Sequence, residues 1–168
     1  YDKVMNVFRW GNIDDPEVYL DENNRRMLTN FRYTFASLGN ALLEENKKDS
    51  ALEVLDRCVE LMPNDRVPYN AAIIPVIQIY YNLDENEKAN AIVTEFSEML
   101  DEELAYYEDL MDANPAKFSL SRGDYQFAGR NLMSLYSLAN NFGETELGNS
   151  IMQKIQAHEM GFSGMFNQ

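Results

Sequence analysis

Apolar positions recur every three or four residues through most of the chain, a pattern that predicts helices joined by short polar breaks. The pattern is clearest over residues 51–62, where Ala51, Leu55, Cys58 and Met62 fall on one helical face. Pro63 should end this helix, because a proline ring cannot continue the helical hydrogen-bond ladder. Alternating patterns typical of strands are scarce, so we predict an all-α fold.

The same periodicity predicts helices before this segment. A short helix should end before Gly11 and lead into a polar connector, and a long helix should follow over about residues 23–46. The apolar stripe of the long helix consists of Met27, Phe31, Phe35, Leu38 and Leu42. We expect Asp49 to cap the helix that contains residues 51–62 by accepting hydrogen bonds from backbone N–H groups that have no partner inside that helix.

Four further helices and one loop are predicted after Pro63. A third helix should cover about residues 68–83 with a kink at Pro75, and an unusually long fourth helix about residues 85–113. Residues 114–123 are predicted to form a loop. Two more helices should cover about residues 124–141 and 145–160, with Gly143 and Gly161 as the breaks after them.

The predicted helices form pairs that share a motif. The first pair carries Phe35-x2-Leu38-Gly39-x2-Leu42, then Ala51-x3-Leu55, then Pro63. The second pair carries Ile73-x2-Val76-Ile77-x2-Tyr80, then Ala89-x3-Val93. A degenerate third pair carries Leu132-x2-Leu135-Tyr136-x2-Ala139, then Gly148-x3-Met152. This motif resembles the tetratricopeptide repeat, a helix–turn–helix unit of about 34 residues.

The repeat predicts a tetratricopeptide-like stack of about three helical hairpins with an N-terminal helical extension. Leu38 and Val76 lie 38 positions apart, and we assign the extra residues to the loop of residues 66–69. Gly39 and Ala51 are small and should face each other, so that the two helices approach closely. We expect residues 1–22 to form the extension and connector, and residues 23–168 the array, in a single domain. An irregular helical bundle is the alternative.

The net charge narrows the possible partners. The chain has 28 acidic and 14 basic residues, a formal net charge of −14. Nucleic acid is a poor partner, because phosphate binding requires clustered Lys and Arg.

The longest apolar run, near residues 71–77, is shorter than the ~20 residues of a membrane span. Since the chain starts at Tyr1 inside a predicted helix, we expect it to be part of a longer protein.

We predict no catalytic residue, no metal site and no cofactor. The only histidine, His158, should pack or lie at the surface, and the only cysteine, Cys58, should fill the core as a small apolar residue. Facing carboxylates could serve a glycosidase, but solvated helix faces explain most of the acidic pairs. Four carboxylates could bind calcium: Asp14, Asp15, Asp21 and Glu22. Helix caps and turns explain the same residues.

The tetratricopeptide resemblance implies a ligand face, because the first helix of each hairpin lines the concave side of such arrays. On the first hairpin the matching positions are Tyr33, Asn40 and Glu44. On the second they are Gln78, Tyr81 and Asn82, and on the third Arg130, Asn140 and Asn141. Amides and tyrosines with few charges suit an extended peptide or a glycan better than a strongly charged ligand. A solvated surface without a ligand is the alternative.

Three segments carry a closer resemblance. They are WGNIDDPEVYLDENNRRM at residues 10–27, NFRYTFASL at 30–38 and DRCVELMPNDRVPYN at 56–70. They resemble the soluble C-terminal region, a domain of unknown function, of the protein O-mannosyltransferase-like membrane proteins of Bacteroidetes. The resemblance implies a position on the periplasmic side of the inner membrane, next to the protein's own membrane domain, which would carry any sugar transfer.

The function we favour is a non-catalytic domain that interacts with a protein or glycan and is attached to a glycosyltransferase-like membrane protein. A structural cap for the membrane part is one alternative. A sugar-active enzyme that uses carboxylates is another.

Overall fold

The computed structural model describes residues 1–158, which contain helices and no strand. The expected all-α fold is therefore confirmed for this part of the chain. The α-helices are α1 (Glu22–Glu44), α2 (Lys48–Leu61), α3 (Ile74–Asn82), α4 (Asn86–Ala113), α5 (Pro115–Asn141) and α6 (Thr145–Ala157). A π-helical turn covers Lys3–Val7, and a 3-10 turn covers Ala71–Ile73. The break expected at Gly161 lies outside the described residues.

The chain divides into two compact units, residues 1–89 and residues 90–168. The first unit contains the N-terminal extension, α1, α2, α3 and the first turn of α4. The second contains the remainder of α4, with α5 and α6. The predicted organisation into residues 1–22 and 23–168 stays a prediction. None of the helices in the described part of the chain is both long enough and apolar enough to cross a membrane.

The N-terminal extension packs onto α1 through the single tryptophan. The centroid of the Trp10 ring lies 5.5 Å from that of Phe31 and 5.4 Å from that of Phe35. The connector is held by Arg66, whose guanidinium donates a hydrogen bond to the backbone carbonyl of Val18. Aromatic contact and a main-chain hydrogen bond therefore attach the extension to the rest of the first unit.

The long helix α1 is confirmed, but its buried face differs from the predicted stripe. The helix begins after Asp21, whose Oδ1 accepts a hydrogen bond from the backbone N–H of Asn24 at 2.7 Å. Met27 is 60% exposed, so it does not belong to the core. The buried residues are Leu28, Arg32, Phe35, Ala36, Gly39 and Leu42. The predicted stripe was wrong at Met27 because a charged residue, Arg32, occupies the buried face.

Arg32 is completely buried and holds the chain that follows α2. Its guanidinium donates hydrogen bonds to the backbone carbonyls of Met62 and Pro68, both at 2.9 Å. It also donates to the carbonyl of Val67 and lies 5.0 Å from the ring centroid of Tyr69. Burial lowers the pKa of Arg32. Backbone dipoles at the end of α2 and in the next loop therefore solvate this buried charge.

The first hairpin joins α1 and α2 through a tight turn in which Asn46 has a φ of 58°. The helix α2 begins at Lys48, so Asp49 lies inside its first turn and does not cap it. A carboxylate in that turn still interacts favourably with the helix dipole. The nearest neighbour of Gly39 on α2 is Leu55, because an added Cβ at Gly39 would lie 3.0 Å from the Leu55 Cδ2 atom. The expected approach of Gly39 to Ala51 stays a prediction.

The expected kinked helix over residues 68–83 is wrong in its first part. The side chain of Asn70 accepts a hydrogen bond from the backbone N–H of Ala72 at 3.0 Å and starts the 3-10 turn. Pro75 then lies in the first turn of α3. Proline is tolerated there, since its missing N–H would have no helical acceptor. Pro75 therefore begins the helix and does not kink it.

In the second unit, the expected length of α4 is confirmed and the expected loop over residues 114–123 is wrong. The helix α5 begins at Pro115, and Asn114 caps it by accepting a hydrogen bond from the backbone N–H of Lys117 at 3.1 Å. Asn followed by Pro forms an N-cap and first helical position, so residues typical of a loop here begin a helix. As expected, Gly143 breaks the chain between α5 and α6, with a φ of 81°.

Candidate binding groove

An open groove lies between α1 and α3 in the first unit, with a volume of about 510 Å³. The residues that line it recur every three or four positions, so they form one face of each helix. From α1 they are Tyr33, Ala36, Ser37, Asn40, Ala41 and Glu44. From α3 they are Pro75, Gln78, Ile79 and Asn82. The groove is thus built entirely from two helical faces.

The two helices run in the same direction. Near their N-terminal ends, the Nδ2 atom of Asn70 donates a hydrogen bond to the Oγ1 atom of Thr29 at 3.4 Å. Farther along, an added Cβ at Gly39 would lie 3.7 Å from the Cδ1 atom of Ile79. From the first contact to the second, the residue number rises on both segments, from 29 to 39 and from 70 to 79. The helices α1 and α3 are therefore parallel neighbours. At 1.5 Å per residue, the groove extends roughly 16 Å along α1.

The groove has an apolar floor between polar rims. Ala36 and Ile79 are each 4% exposed and form part of the floor. Asn40, Gln78 and Asn82 are exposed and supply amide groups to the rims. Of the residues that line the groove, none is Lys, Arg or His. The only formal charge on its lining is therefore the carboxylate of Glu44.

Two features of α1 give the groove its chemistry. The Nδ2 atom of Asn40 donates a hydrogen bond to the Oε1 atom of Glu44 at 2.8 Å, which holds the two side chains together one helical turn apart. Tyr33 lies at the middle of α1, where the groove begins, and is 48% exposed. Amide and carboxylate oxygens can accept hydrogen bonds, and the amide N–H groups can donate them. The tyrosine adds a flat apolar surface with a polar tip.

Five of the six residues predicted on the first two hairpins line this groove: Tyr33, Asn40, Glu44, Gln78 and Asn82. Tyr81 does not, because it is only 3% exposed and shares the buried face of α3 with Ile77 and Tyr80. One residue step turns a helical side chain by about 100°. That step separates the buried Tyr81 from its exposed neighbour Asn82. The binding role of the five remaining residues stays a prediction.

The residues predicted on the third hairpin belong to the second unit. Arg130 and Asn141 are exposed on α5. The amide of Asn140 covers Gly148 on α6, where an added Cβ would lie 3.0 Å from the Asn140 Oδ1 atom. The Asn140 Nδ2 atom also donates a hydrogen bond to the backbone carbonyl of Tyr136 at 2.9 Å. The side chain of Asn140 therefore packs the α5–α6 hairpin.

A polar cluster around Asp56 in the first unit was not predicted. Its Oδ1 atom accepts hydrogen bonds from the Tyr80 hydroxyl at 2.9 Å and from the Lys88 Nζ atom at 2.7 Å. Burial raises the pKa of Tyr80, and the charge of Asp56 raises it further. The carboxylate and ammonium groups neutralise each other, so this cluster is suited to holding α2 and α3 together.

A second unpredicted cluster surrounds His158, which is 6% exposed. Its Nδ1 atom lies 2.9 Å from the Glu108 Oε2 atom, and its Nε2 atom lies 3.1 Å from the Asp101 Oδ1 atom. The Tyr125 hydroxyl donates to the other oxygen of Glu108 at 2.9 Å. Each ring nitrogen therefore lies within hydrogen-bond distance of a carboxylate oxygen. The cluster thus ties the end of α6 to α4 and α5.

The other residues singled out in the sequence have structural environments. Cys58 is 0% exposed, as expected for a core residue, and burial raises the pKa of its thiol to about 12. Such a thiol is a poor nucleophile, since the reactive form is the thiolate. The Oδ1 atom of Asp15 accepts a hydrogen bond from the backbone N–H of Glu17 at 3.0 Å, a turn contact. Within residues 1–158, no group of three or more His, Cys, Asp or Glu residues is arranged to hold a metal ion.

The groove between α1 and α3 is therefore an accessible surface with varied hydrogen-bonding groups. Comparison of the chain with protein-family models, with curated proteins and with solved structures gave no significant match.

Proposed function

We propose that this chain is a non-catalytic interaction domain and that the groove between α1 and α3 is its ligand site. One observation carries the proposal: two parallel helices expose amides, a carboxylate and a tyrosine along a single open groove. These side chains are accessible from the groove, whereas the polar groups around Asp56 and His158 hold helices together. Accessible hydrogen-bonding groups above an apolar floor are suited to reversible binding.

We also propose that the helices form a tetratricopeptide-like stack. The α1–α2 hairpin, the close contact of Gly39 with Leu55 and the parallel course of α1 and α3 support it. In such arrays the first helices of successive hairpins lie side by side and line the concave face, as α1 and α3 do around this groove. The groove would then be the concave face of the first two repeats.

The wider setting is proposed from the resemblance of the three quoted segments. In this proposal the domain belongs to a protein O-mannosyltransferase-like membrane protein, lies on the periplasmic side and contacts its own membrane domain. Any sugar transfer would occur in the membrane part. The acidic surface, with a net charge of −14, argues against a nucleic-acid partner. The peptide or glycan that fills the groove would be recruited to the membrane part.

Site-specific photo-crosslinking tests the groove in the full-length protein in its native cells. A photoreactive phenylalanine analogue replaces Ser37, which lies in the groove, or Ser134, an exposed serine on α5 that serves as the matched control. We expect an adduct that depends on light and forms only from position 37. Equal adducts from both positions, or none from position 37, would contradict a ligand site there and favour a structural cap.

The sequence of the gene upstream of the codon for Tyr1 tests the proposed attachment to a membrane protein. Several apolar segments of roughly 20 residues encoded upstream of Tyr1 would agree with attachment to a polytopic membrane protein. A start codon shortly before Tyr1, with no such segment, would contradict that part of the proposal and leave the groove unaffected.

A further inference from the structure

We propose that the ligand of the groove is a neutral glycan, a conclusion that rests on the proposed function of the groove as a binding site. The inference comes from the lack of cationic lining residues, from the pairing of Asn40 with Glu44, and from an apolar floor between polar rims. Each of these features matches one property of an uncharged sugar chain.

The charge of the lining selects against ionic ligands. A phosphate or carboxylate would find no Lys, Arg or His among the residues that line the groove, and Glu44 would repel it. A cationic ligand would find a single carboxylate, one oxygen of which already accepts a hydrogen bond from Asn40. Exposed ion pairs of this kind contribute little to affinity. The groove is therefore suited to a polar ligand without formal charge.

The polar groups on the rims complement hydroxyl groups. A hydroxyl donates one hydrogen bond and accepts others, and a side-chain amide does both as well. The 2.8 Å contact between Asn40 and Glu44 leaves an amide hydrogen next to a carboxylate oxygen. Two neighbouring hydroxyls of a sugar can meet such a pair, one accepting from the amide and the other donating to the carboxylate. Gln78 and Asn82 offer further amides from α3.

The floor and Tyr33 complement the faces of a sugar ring. A pyranose ring is polar around its edge and presents C–H groups on its faces. Ala36 and Ile79 provide an apolar floor between the amide rims, and the exposed ring of Tyr33 provides a flat apolar surface toward one end. A sugar ring lying along the groove would therefore place its faces on apolar groups and its hydroxyls against the rims.

A peptide is the less favoured occupant. Peptides bound to helical grooves obtain most of their affinity from large side chains buried in apolar pockets. The apolar lining here consists mainly of alanine, proline and one isoleucine: Ala36, Ala41, Pro75 and Ile79. Two helices also offer no free strand edge, so a peptide cannot bind by adding a strand. A ligand rich in uncharged hydroxyl groups can form hydrogen bonds with more of the lining side chains than a peptide can.

Binding of neutral trisaccharides to the purified chain tests the inference. The probes are linear trimers of glucose, mannose, galactose and N-acetylglucosamine, with uncharged capped peptides as the second arm, followed by titration calorimetry and saturation-transfer NMR. The groove variants are Tyr33→Ala and Gln78→Ala. Their matched controls are Tyr106→Ala, at a tyrosine that is 61% exposed, and Gln153→Ala, at an exposed glutamine on α6. Circular dichroism verifies that every variant is folded.

We expect at least one trimer to bind, with affinity reduced roughly tenfold by each groove variant, as the loss of one good contact implies. The control variants should bind like the wild type, and raising the salt concentration should change little, because no ion pair is formed. Capped peptides bound in the groove, with no trimer bound, would overturn the glycan inference and retain the proposed function. Failure of both arms, or binding unaffected by the groove variants, would overturn both.

Discussion

Replacing Gly39 by leucine tests how closely α1 and α2 approach. The chain offers a matched comparison, because Gly39 and Gly123 are both helical glycines with different surroundings. An added Cβ at Gly39 would lie 3.0 Å from the Leu55 Cδ2 atom, whereas one at Gly123 would have no neighbour within 4 Å. Leu55 is 0% exposed and cannot move aside into solvent. We expect Gly39→Leu to destabilise the protein and Gly123→Leu to stabilise it.

The magnitude follows from two opposing effects. Removing a glycine from a helix interior gains about 1 kcal/mol at either position, because the unfolded chain loses conformational freedom. Overpacking a filled core costs about 1–3 kcal/mol, and at Gly39 a leucine side chain adds three carbons beyond a Cβ that already touches Leu55. Because these three carbons meet an existing contact, we expect the upper part of that cost, about 2–3 kcal/mol. After the gain of about 1 kcal/mol is subtracted, the free energy of unfolding should fall by roughly 1–2 kcal/mol for Gly39→Leu. It should rise by up to about 1 kcal/mol for Gly123→Leu.

Urea denaturation distinguishes these outcomes. Trp10 is the only tryptophan, and it packs on Phe31 and Phe35, so its fluorescence reports on the first unit. Circular dichroism, which follows the helices of both units, serves for Gly123→Leu. Lys47→Leu is the control in the first unit, since the Lys47 side chain is 58% exposed. A Gly39→Leu protein that unfolds at the wild-type urea concentration, or above it, would refute the close contact.

Further outcomes follow from three buried polar residues. Arg32→Met should lower the free energy of unfolding by about 3 kcal/mol, measured by Trp10 fluorescence, because it leaves buried carbonyls without donors; an unchanged midpoint would count against this role. The thiol of Cys58 should resist iodoacetamide in the folded protein and react in urea. The pKa of the Cys58 thiol is raised to about 12 in the folded protein and is about 8.5 in the unfolded chain. The contribution of the protonated thiol to the free energy of unfolding is therefore complete below about pH 8.5 and is lost as the pH rises toward 12. Cys58→Val should therefore flatten the loss of stability over that range, and an unaltered slope would contradict it. His158→Ala should destabilise the second unit by about 1–3 kcal/mol in circular dichroism, because it removes a partner from both Asp101 and Glu108, and an unchanged transition would show that these contacts are not stabilising.

Local helix signals were predictable because they depend on neighbouring residues. The extent of α1 and α4 follows from periodicity, and Gly143 breaks the chain where expected. The same local rules failed at Asn114 and Pro115, which begin α5. An Asn–Pro pair is compatible with a loop or with a helix start. The sequence nearby does not decide between them.

Most of the candidate groove was predictable from the resemblance to the tetratricopeptide repeat, in which the first helix of each hairpin lines the concave face. That resemblance pointed to Tyr33, Asn40, Glu44, Gln78 and Asn82, which line the groove. It failed at Tyr81, because the phase of the buried face depends on which helices pack against α3.

By itself, then, the sequence determined the helical class of the described chain, most helix limits and the polar character of the groove. These properties arise from local conformational preference and from hydrophobic periodicity along one helix. Only the tertiary structure decided that Arg32 is solvated by carbonyls 30–36 residues away and that His158 meets carboxylates 50 and 57 residues away. Such contacts depend on how the helices pack in three dimensions. The residues next to a buried charged side chain in the sequence do not distinguish it from a charged side chain exposed to water.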